Sequence, residues 1–447
     1  MAIASTIEWE VRSTATAGNA NGGGYKPGAS GTDFSQQNAA QYNLTGVTTA
    51  AADAILLHAS AAADMVGNIA NITGGTNFTV GRYEIISVVV GTSITLDRNC
   101  TTAAGAAGVV NIGGALNFGT ADDAVFESME PGNIMHIKAA TYTMTALAVL
   151  KDGTSTSPII LRGYNAARND TPAFGSQPVL AFGANASSFG DYFNLHNITC
   201  TTTSANGLDL NTGGLAQNCK STNSSGTAGR AGFRIVLGGA IIACEAISTN
   251  GDAIVLADDR NRVFGNYCHD SAVGVSITTS PVGTMIAFNI VDACTTALEI
   301  PANSTSVSII GNTLYGAATP AGTGIDLLAT TSTNLLVMNN TISGFTTGVN
   351  SAAVVGSNFY DYNNFFNNTT DRVNVTAGPN DTALDPGFTD APNGNFAIGA
   401  NLKAKGFPGA FPGGLTTGYL DIGAAQRQEP AGGSGGGLRI VAPGGLG

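Results

Sequence analysis

The chain has 447 residues, of which 60 are Gly and only 11% are charged, and its formal net charge is −12. An acidic chain without a basic stripe cannot neutralise phosphates, which argues against a nucleic-acid partner. No apolar run reaches the roughly 18 residues of a membrane-spanning helix. The length leaves room for a large core and more than one domain.

Residues 1–45 are rich in Gly, Asn, Ser and Gln and read as an N-terminal arm. The single Trp, Trp9, lies in a strand-like run and is a candidate docking residue, onto this chain or onto a partner. The plainer alternative is packing beneath a loop. Residues 1–10 lack a basic start and reach Glu8 early, so they do not read as a secretory signal peptide. Residues 46–115 carry short strand-like runs around Phe78, Val88 and Ile94, with Gly74, Gly75 and Gly91 as turns. Hairpin spacing of this kind predicts a small antiparallel β domain. Residues 120–130 predict a short helix with Thr120 as N-cap, Asp122 and Asp123 at its positive end, and Pro131-Gly132 as its stop. Such a helix suits the open end of a stack of strands, whose unpaired edges invite aggregation.

From residue 207 onward a unit of small, apolar, any, apolar residues recurs. It appears as Gly207-Leu208-Asp209-Leu210, Gly232-Phe233-Arg234-Ile235, Ala253-Ile254-Val255-Leu256, Gly274-Val275-Ser276-Ile277, Ala297-Leu298-Glu299-Ile300, Gly324-Ile325-Asp326-Leu327 and Gly348-Val349-Asn350, at intervals of 21 to 27 residues. Repeats of that length mark stacked architectures. Period-two alternation places the apolar pair on one face. A coil of this size cannot bury its own apolar face, but coils stacked about 4.8 Å apart can. The expectation is an all-β chain built on a right-handed parallel β-helix over residues 116–426. Asn266, Asn289, Asn312, Asn340 and Asn364 recur at one corner, where Asn tolerates left-handed backbone and can bond along a stack of turns. Five of the six cysteines, Cys200, Cys219, Cys244, Cys268 and Cys294, fall about one per coil, with Cys100 apart. A disulfide or metal ladder is one reading, and small apolar core residues the plainer one. After residue 426, a Gly-rich linker leads to an apolar run, and Leu438, Ile440 and Val441 are candidates for docking onto a partner's sheet edge. A disordered tail is the alternative.

Three stretches resemble right-handed parallel β-helix proteins of the pectate-lyase type, phage tailspikes among them. They are residues 124–142 (with Pro131-Gly132 and Thr141-Tyr142), residues 157–165 (with Arg162-Gly163-Tyr164), and Asp385-Pro386 with Phe388, Asn395-Phe396 and later Asp421 and Gly423. The start of the chain also resembles phage and viral metagenome proteins of unassigned role, around Trp9, Phe34 and Phe78. The resemblance implies the fold over residues 117–426. One fold hosts many functions, so activity must come from a site.

No nucleophile elbow, phosphate loop or zinc spacing occurs, and there are four His. Carbohydrate cleavage remains, which needs paired carboxylates or a Ca²⁺/Arg site. In the repeat, the third residue faces outward, so Glu299 and Asp326 stand on neighbouring coils and are the candidate catalytic pair. Two carboxylates so placed suit a retaining glycosidase, although a solvated acidic face is the plainer reading. Asp258, Asp259, Arg260, Arg262, His269 and Asp270, with Asp252, form a second, candidate binding cluster. It reads as an acid–base centre, as a Ca²⁺ site, or as turn residues with local ion pairs. No other cofactor is expected. Few aromatic residues are available to stack sugars.

A β-helix without a leader points to release in a virus particle. The expectation is therefore a bacteriophage virion structural protein (tailspike, fibre or capsid decoration), made in the host cytoplasm and displayed on the virion surface. Its partners would be other virion proteins, further copies of itself, as a trimer by resemblance to tailspikes, and a cell-surface glycan. The alternative is a polysaccharide lyase or glycoside hydrolase acting on a surface glycan, and a third reading is a non-catalytic glycan-binding protein.

Overall fold

A computed structural model describes residues 8–13, 24–25, 42–66, 69–113, 115–119, 122–127, 129–166, 169–225, 229–279, 281–301, 303–317, 319–328, 332–353, 357–407 and 421–426. The chain forms two compact units, residues 1–185 with 189–199, and residues 186–188 with 200–447. The fold is all-β, a parallel solenoid of about ten coils with a small antiparallel domain and, among the described residues, one short α-helix. Among the described residues no helix is long and apolar enough to cross a membrane.

In the first unit the antiparallel domain closes into a barrel of six strands. Their order is Tyr42–Thr49, Ile55–Leu57, Ser93–Leu96, Gly81–Val89, Ile69–Phe78 and Thr101–Gly113. Closure removes the free edges that open hairpins would leave. Alternate residues, among them Leu44, Leu56, Ile72, Ile85, Ile94 and Val110, point inward and form its core. Gly108 is required by packing, because a Cβ there would lie 2.7 Å from the Phe78 ring.

The arm strand Glu8–Val11 pairs in parallel with Ile134–Lys138, which pairs with Ile159–Tyr164, which pairs with Phe193–His196. Trp9 is wholly buried, and its Nε1 donates to Asn133 Oδ1 at 3.0 Å. It therefore fastens the arm to its own chain, the first of the two readings of its docking role. Beside it, Arg12 Nε donates to the buried Glu10 carboxylate at 2.8 Å, and the Tyr164 hydroxyl donates to the same oxygen. A buried charge is tolerable only when so paired. The helix Asp122–Glu127 buries Phe126, which meets Phe189 edge-on at 5.7 Å between ring centroids. Asp122 accepts backbone N–H groups from Gly119 (2.8 Å) and Thr145 (2.7 Å). The expected N-cap, Thr120, lies outside the described residues.

In the second unit each coil contributes one strand to each of three parallel sheets. The third sheet carries the repeat, as Leu208–Leu210, Ala231–Ile235, Asp252–Leu256, Val273–Ile277, Thr296–Ile300, Thr323–Leu327, Thr347–Ser351 and Thr370–Val373. Its apolar residues stack in register through Leu208, Phe233, Ile254, Val275, Leu298, Ile325 and Val349, all buried. One of the two outer columns of the first sheet is apolar (Ile242, Phe264, Ala287, Ile310, Met338), and the other includes Arg262 and Ser308. The cysteines from 200 to 294 are free, buried thiols of the core.

The expected Asn corner exists, with two corrections. Asn266, Asn289, Asn312 and Asn340 each donate through Nδ2 to the Oδ1 of the next Asn at 2.9–3.0 Å. The last acceptor is Asn363, whereas Asn364 instead accepts from Thr382 and Leu384. The left-handed residue is also not the ladder Asn but the one before it: Gly265, Phe288, Gly311, Asn339 and Tyr362 have φ between 56° and 67°. The side-chain ladder satisfies backbone groups at the corner and so offsets that strain.

Beyond the last coil, residues 385–407 and 421–426 fold back over the second sheet. Gly423 N–H donates to Asn339 O (2.8 Å) and Ala424 N–H to Thr313 Oγ1 (2.9 Å). Phe388 and Phe396 pack on Tyr315, with centroids 6.0 and 5.5 Å away, and Ala391 joins Ile290 in the same apolar cluster. The tail residues Leu438, Ile440 and Val441 lie outside the described residues.

Candidate active site

The third sheet places Glu299 and Asp326 opposite each other as register partners on adjacent strands. Adjacent strands lie about 4.8 Å apart. Both side chains are outward and part-buried, because the flanking Leu298 and Ile300, and Ile325 and Leu327, turn into the core. Asn350 follows in the same column and donates Nδ2–H to Asp326 Oδ1 at 2.9 Å. On the other side come Ser276, Val255, Arg234 and Asp209. Arg234 Nη1 is tied to Asp209 Oδ1 at 2.9 Å in a surface ion pair. A parallel row of Thr296, Thr323, Thr347 and Thr370 lines the face.

Burial raises the Glu299 pKa, and the negative charge of Asp326 adds to the rise. Asp252 stands on the same sheet, and burial pushes its carboxyl up to about 6. The Ser276 hydroxyl acts against that shift and Glu299 reinforces it. The face therefore holds carboxyl groups that keep protons to higher pH than free ones. Such shifts are what general acids need near neutrality.

The second expected cluster does not assemble. Asp258, Asp259 and Arg260 occupy the corner after the third-sheet strand, where Asp258 Oδ1 caps Asp259 N–H (2.8 Å) and Asp259 Oδ1 caps Val282 N–H (2.7 Å). Arg260 is left-handed, with φ 57°. Arg262 lies on the first sheet and is exposed. His269 and Asp270 end a strand of the second sheet. Neighbours in sequence are thus spread over three sides of one coil, which corrects the reading of these six residues as one binding site.

His269 instead belongs to a different group. Its Nδ1 is 2.7 Å from Asp270 Oδ2 and its Nε2 is 3.3 Å from Glu245 Oε1, which also takes Lys220 Nζ at 2.7 Å. The Tyr267 ring stacks on His269 at 4.3 Å, and its hydroxyl donates to Asp292 Oδ2 at 3.3 Å. Burial disfavours the charged His269, but Glu245 and Asp270 outweigh it and raise its pKa. Lys220, Glu245, Tyr267 and Asp292 were missed in the sequence. The second run of each repeat, stacked coil on coil like the first, aligns Lys220, Glu245 and Tyr267.

The fold is similar to that of a pectate lyase. The crystal structure of pectate lyase Pel9A superimposes with a TM-score of 0.50 at 14% identity, covering 69% of this chain and 91% of that one. The alginate lyase from Paenibacillus sp. str. FPU-7 gives a TM-score of 0.34 at 14% identity, covering 58% of this chain and 96% of that one. The A-module of the Azotobacter vinelandii mannuronan C-5 epimerase AlgE4 gives 0.33 at 13%, covering 60% and 95%. No protein-family model and no curated protein sequence matches the chain.

At this identity the likeness is one of scaffold. The Ca²⁺ alternative finds no ligand set: among the described residues no group of three or more His, Cys, Asp or Glu side chains is placed to hold a metal ion. Arg234, the cation of the outward column, is engaged by Asp209. What the face offers chemically is a pair of carboxyl groups.

Proposed function

We propose that the chain is a polysaccharide-cleaving glycoside hydrolase acting on a surface glycan. Glu299 is the general acid and Asp326 the nucleophile. The observation that carries this reading is the register pairing of Glu299 with Asp326 on one open face. Retaining glycosidases hold their two carboxyl groups about 5–5.5 Å apart, a spacing that adjacent strands supply.

Glu299, which keeps its proton to higher pH, protonates the glycosidic oxygen as the bond to the anomeric carbon breaks. Asp326, held through one oxygen by Asn350, attacks that carbon with the other. Glu299, now a carboxylate, takes a proton from water, which displaces the sugar from Asp326 and regenerates both groups.

Elimination from a uronate fits this face less well. It needs a cation to neutralise the substrate carboxylate, whereas Arg234 of the same outward column is held by Asp209. The reading of the chain as a virion structural protein, with trimeric assembly and display on the virion surface, rests on the reading of the sequence alone. The carboxylate pair favours the enzyme.

The test is reducing-end release from a panel of neutral, acidic and basic glycans, with NMR of the anomeric product. Retention of configuration is expected. Glu299→Gln and Asp326→Asn should each lower the rate by about 10²–10⁴. Cleavage that survives both substitutions, or products with an unsaturated sugar, would reject the assignment.

A further inference from the structure

The segment that folds back over the second sheet packs through Phe388 and Phe396 on Tyr315, and its tip reaches the His269 group. Phe388 and Phe396 meet each other at 5.2 Å and close on Tyr315. The tip of the segment is the turn Ala391–Asn393 with Gly394, and Asp390 N–H donates to Asn395 O at 3.0 Å. Gly394 has φ 78°, and a Cβ there would lie 3.1 Å from the Tyr267 hydroxyl, so the tip rests directly on Tyr267. Tyr267 in turn stacks on His269 and donates to Asp292. Tyr267 therefore links the tip to a charge network.

We propose that residues 385–402 form a detachable strap whose seat on the second sheet depends on His269 being protonated. The groups facing His269 are Asp270 from the following turn, Glu245 and Lys220 from the preceding coils, and Asp292 from the next coil. Asp390 is the charged residue of the strap's tip. With His269 protonated, two cations face the three carboxylates Glu245, Asp270 and Asp292. With His269 neutral, Lys220 alone faces them. The His269 and Glu245 side chains are only 15% and 14% exposed, so water screens little of the repulsion between them and their neighbours that is left when His269 loses its proton. The sign follows from linkage. His269 is raised by its partners, so the hold is complete at mildly acidic pH and is lost as pH rises through the His269 titration.

Hydrogen exchange on the full chain tests this, read as protection factors so that the pH dependence of the chemical step is divided out. Wild type, His269→Gln and Phe396→Ala are compared at about pH 6 and about pH 8.5, on either side of the histidine range. In wild type, protection of residues 388–398 should fall severalfold at the higher pH, while strand Thr323–Leu327 keeps its protection. His269→Gln should show the lower protection at both pH values, and Phe396→Ala marks the released state. Asp270→Asn, which removes one partner of His269, should move the fall to lower pH. Equal wild-type protection at both pH values, or a wild-type fall that persists in His269→Gln, would overturn the proposal. Loss of protection in Thr323–Leu327 along with the strap would also overturn it, since the change would then be global unfolding.

Discussion

Asp326 stands one coil beyond Glu299 at the same point of its strand, so the two carboxyl groups share one open face. Their separation in sequence, 27 residues, is one turn of the solenoid. Their coupling is a consequence of stacking rather than of any local motif.

That coupling can be measured without a substrate. Asp326→Asn removes the negative charge that adds to the burial effect on Glu299. The Glu299 pKa should fall, and carboxyl carbon NMR through an acid titration would follow it. An unchanged Glu299 titration would mean that the two groups do not sense each other.

Asp252 carries a pH-dependent penalty. Its folded pKa, about 6, lies above that of a free Asp, so the folded state takes up the extra proton and stability rises as pH falls through 6. Above that range the ionised group costs about 1 kcal/mol once its contact with solvent is discounted. Asp252→Asn should therefore raise the melting temperature at about pH 7.5 and not at about pH 3, below both pKa values. A variant less stable than wild type at the higher pH would contradict this account.

Asn312 sits mid-ladder and is fully buried. It accepts from Asn289 N–H and Nδ2–H, and it donates to Ile286 O and Asn340 Oδ1. Replacing it with Ala leaves several buried groups without partners, at about 1–3 kcal/mol each. Asn312→Ala should lower the urea midpoint by an amount worth about 3 kcal/mol or more. A change under about 0.5 kcal/mol, the range of ordinary surface substitutions, would show that the ladder does not hold the corner.

Trp9 is the chain's single Trp, so indole fluorescence reports the arm strand alone. Burial at 0% exposure predicts a blue-shifted emission that moves red when the arm leaves Ile134–Lys138. Trp9→Phe keeps the ring and loses the bond to Asn133 Oδ1, for a loss of about 1 kcal/mol, whereas Trp9→Ala should cost about 3–5 kcal/mol. Emission typical of an exposed indole in the native protein would exclude the buried arm.

The solenoid was legible because its period-two alternation recurs at one-coil intervals, which fixes inward and outward sides and neighbours at once. That logic found the Glu299–Asp326 pair. It failed where charge was judged by closeness along the chain. Asp258 to Asp270 looked like one site, but a coil turns three corners in that distance. It also placed the left-handed residue on the ladder Asn rather than one position earlier, since side-chain stacking and backbone handedness leave the same residue type in the sequence.

Taken alone, the amino-acid sequence determined the stacked β architecture, the short helix and the face on which outward residues align, because these follow from periodicity and local preference. Only the tertiary structure decided that Trp9 is buried against Asn133, that His269 joins Lys220 and Glu245, and that the final segment closes over Tyr267 and Tyr315. The first of these contacts spans 124 residues. Contacts of that kind depend on where the coils end and which surface they leave uncovered, and no repeat pattern encodes that.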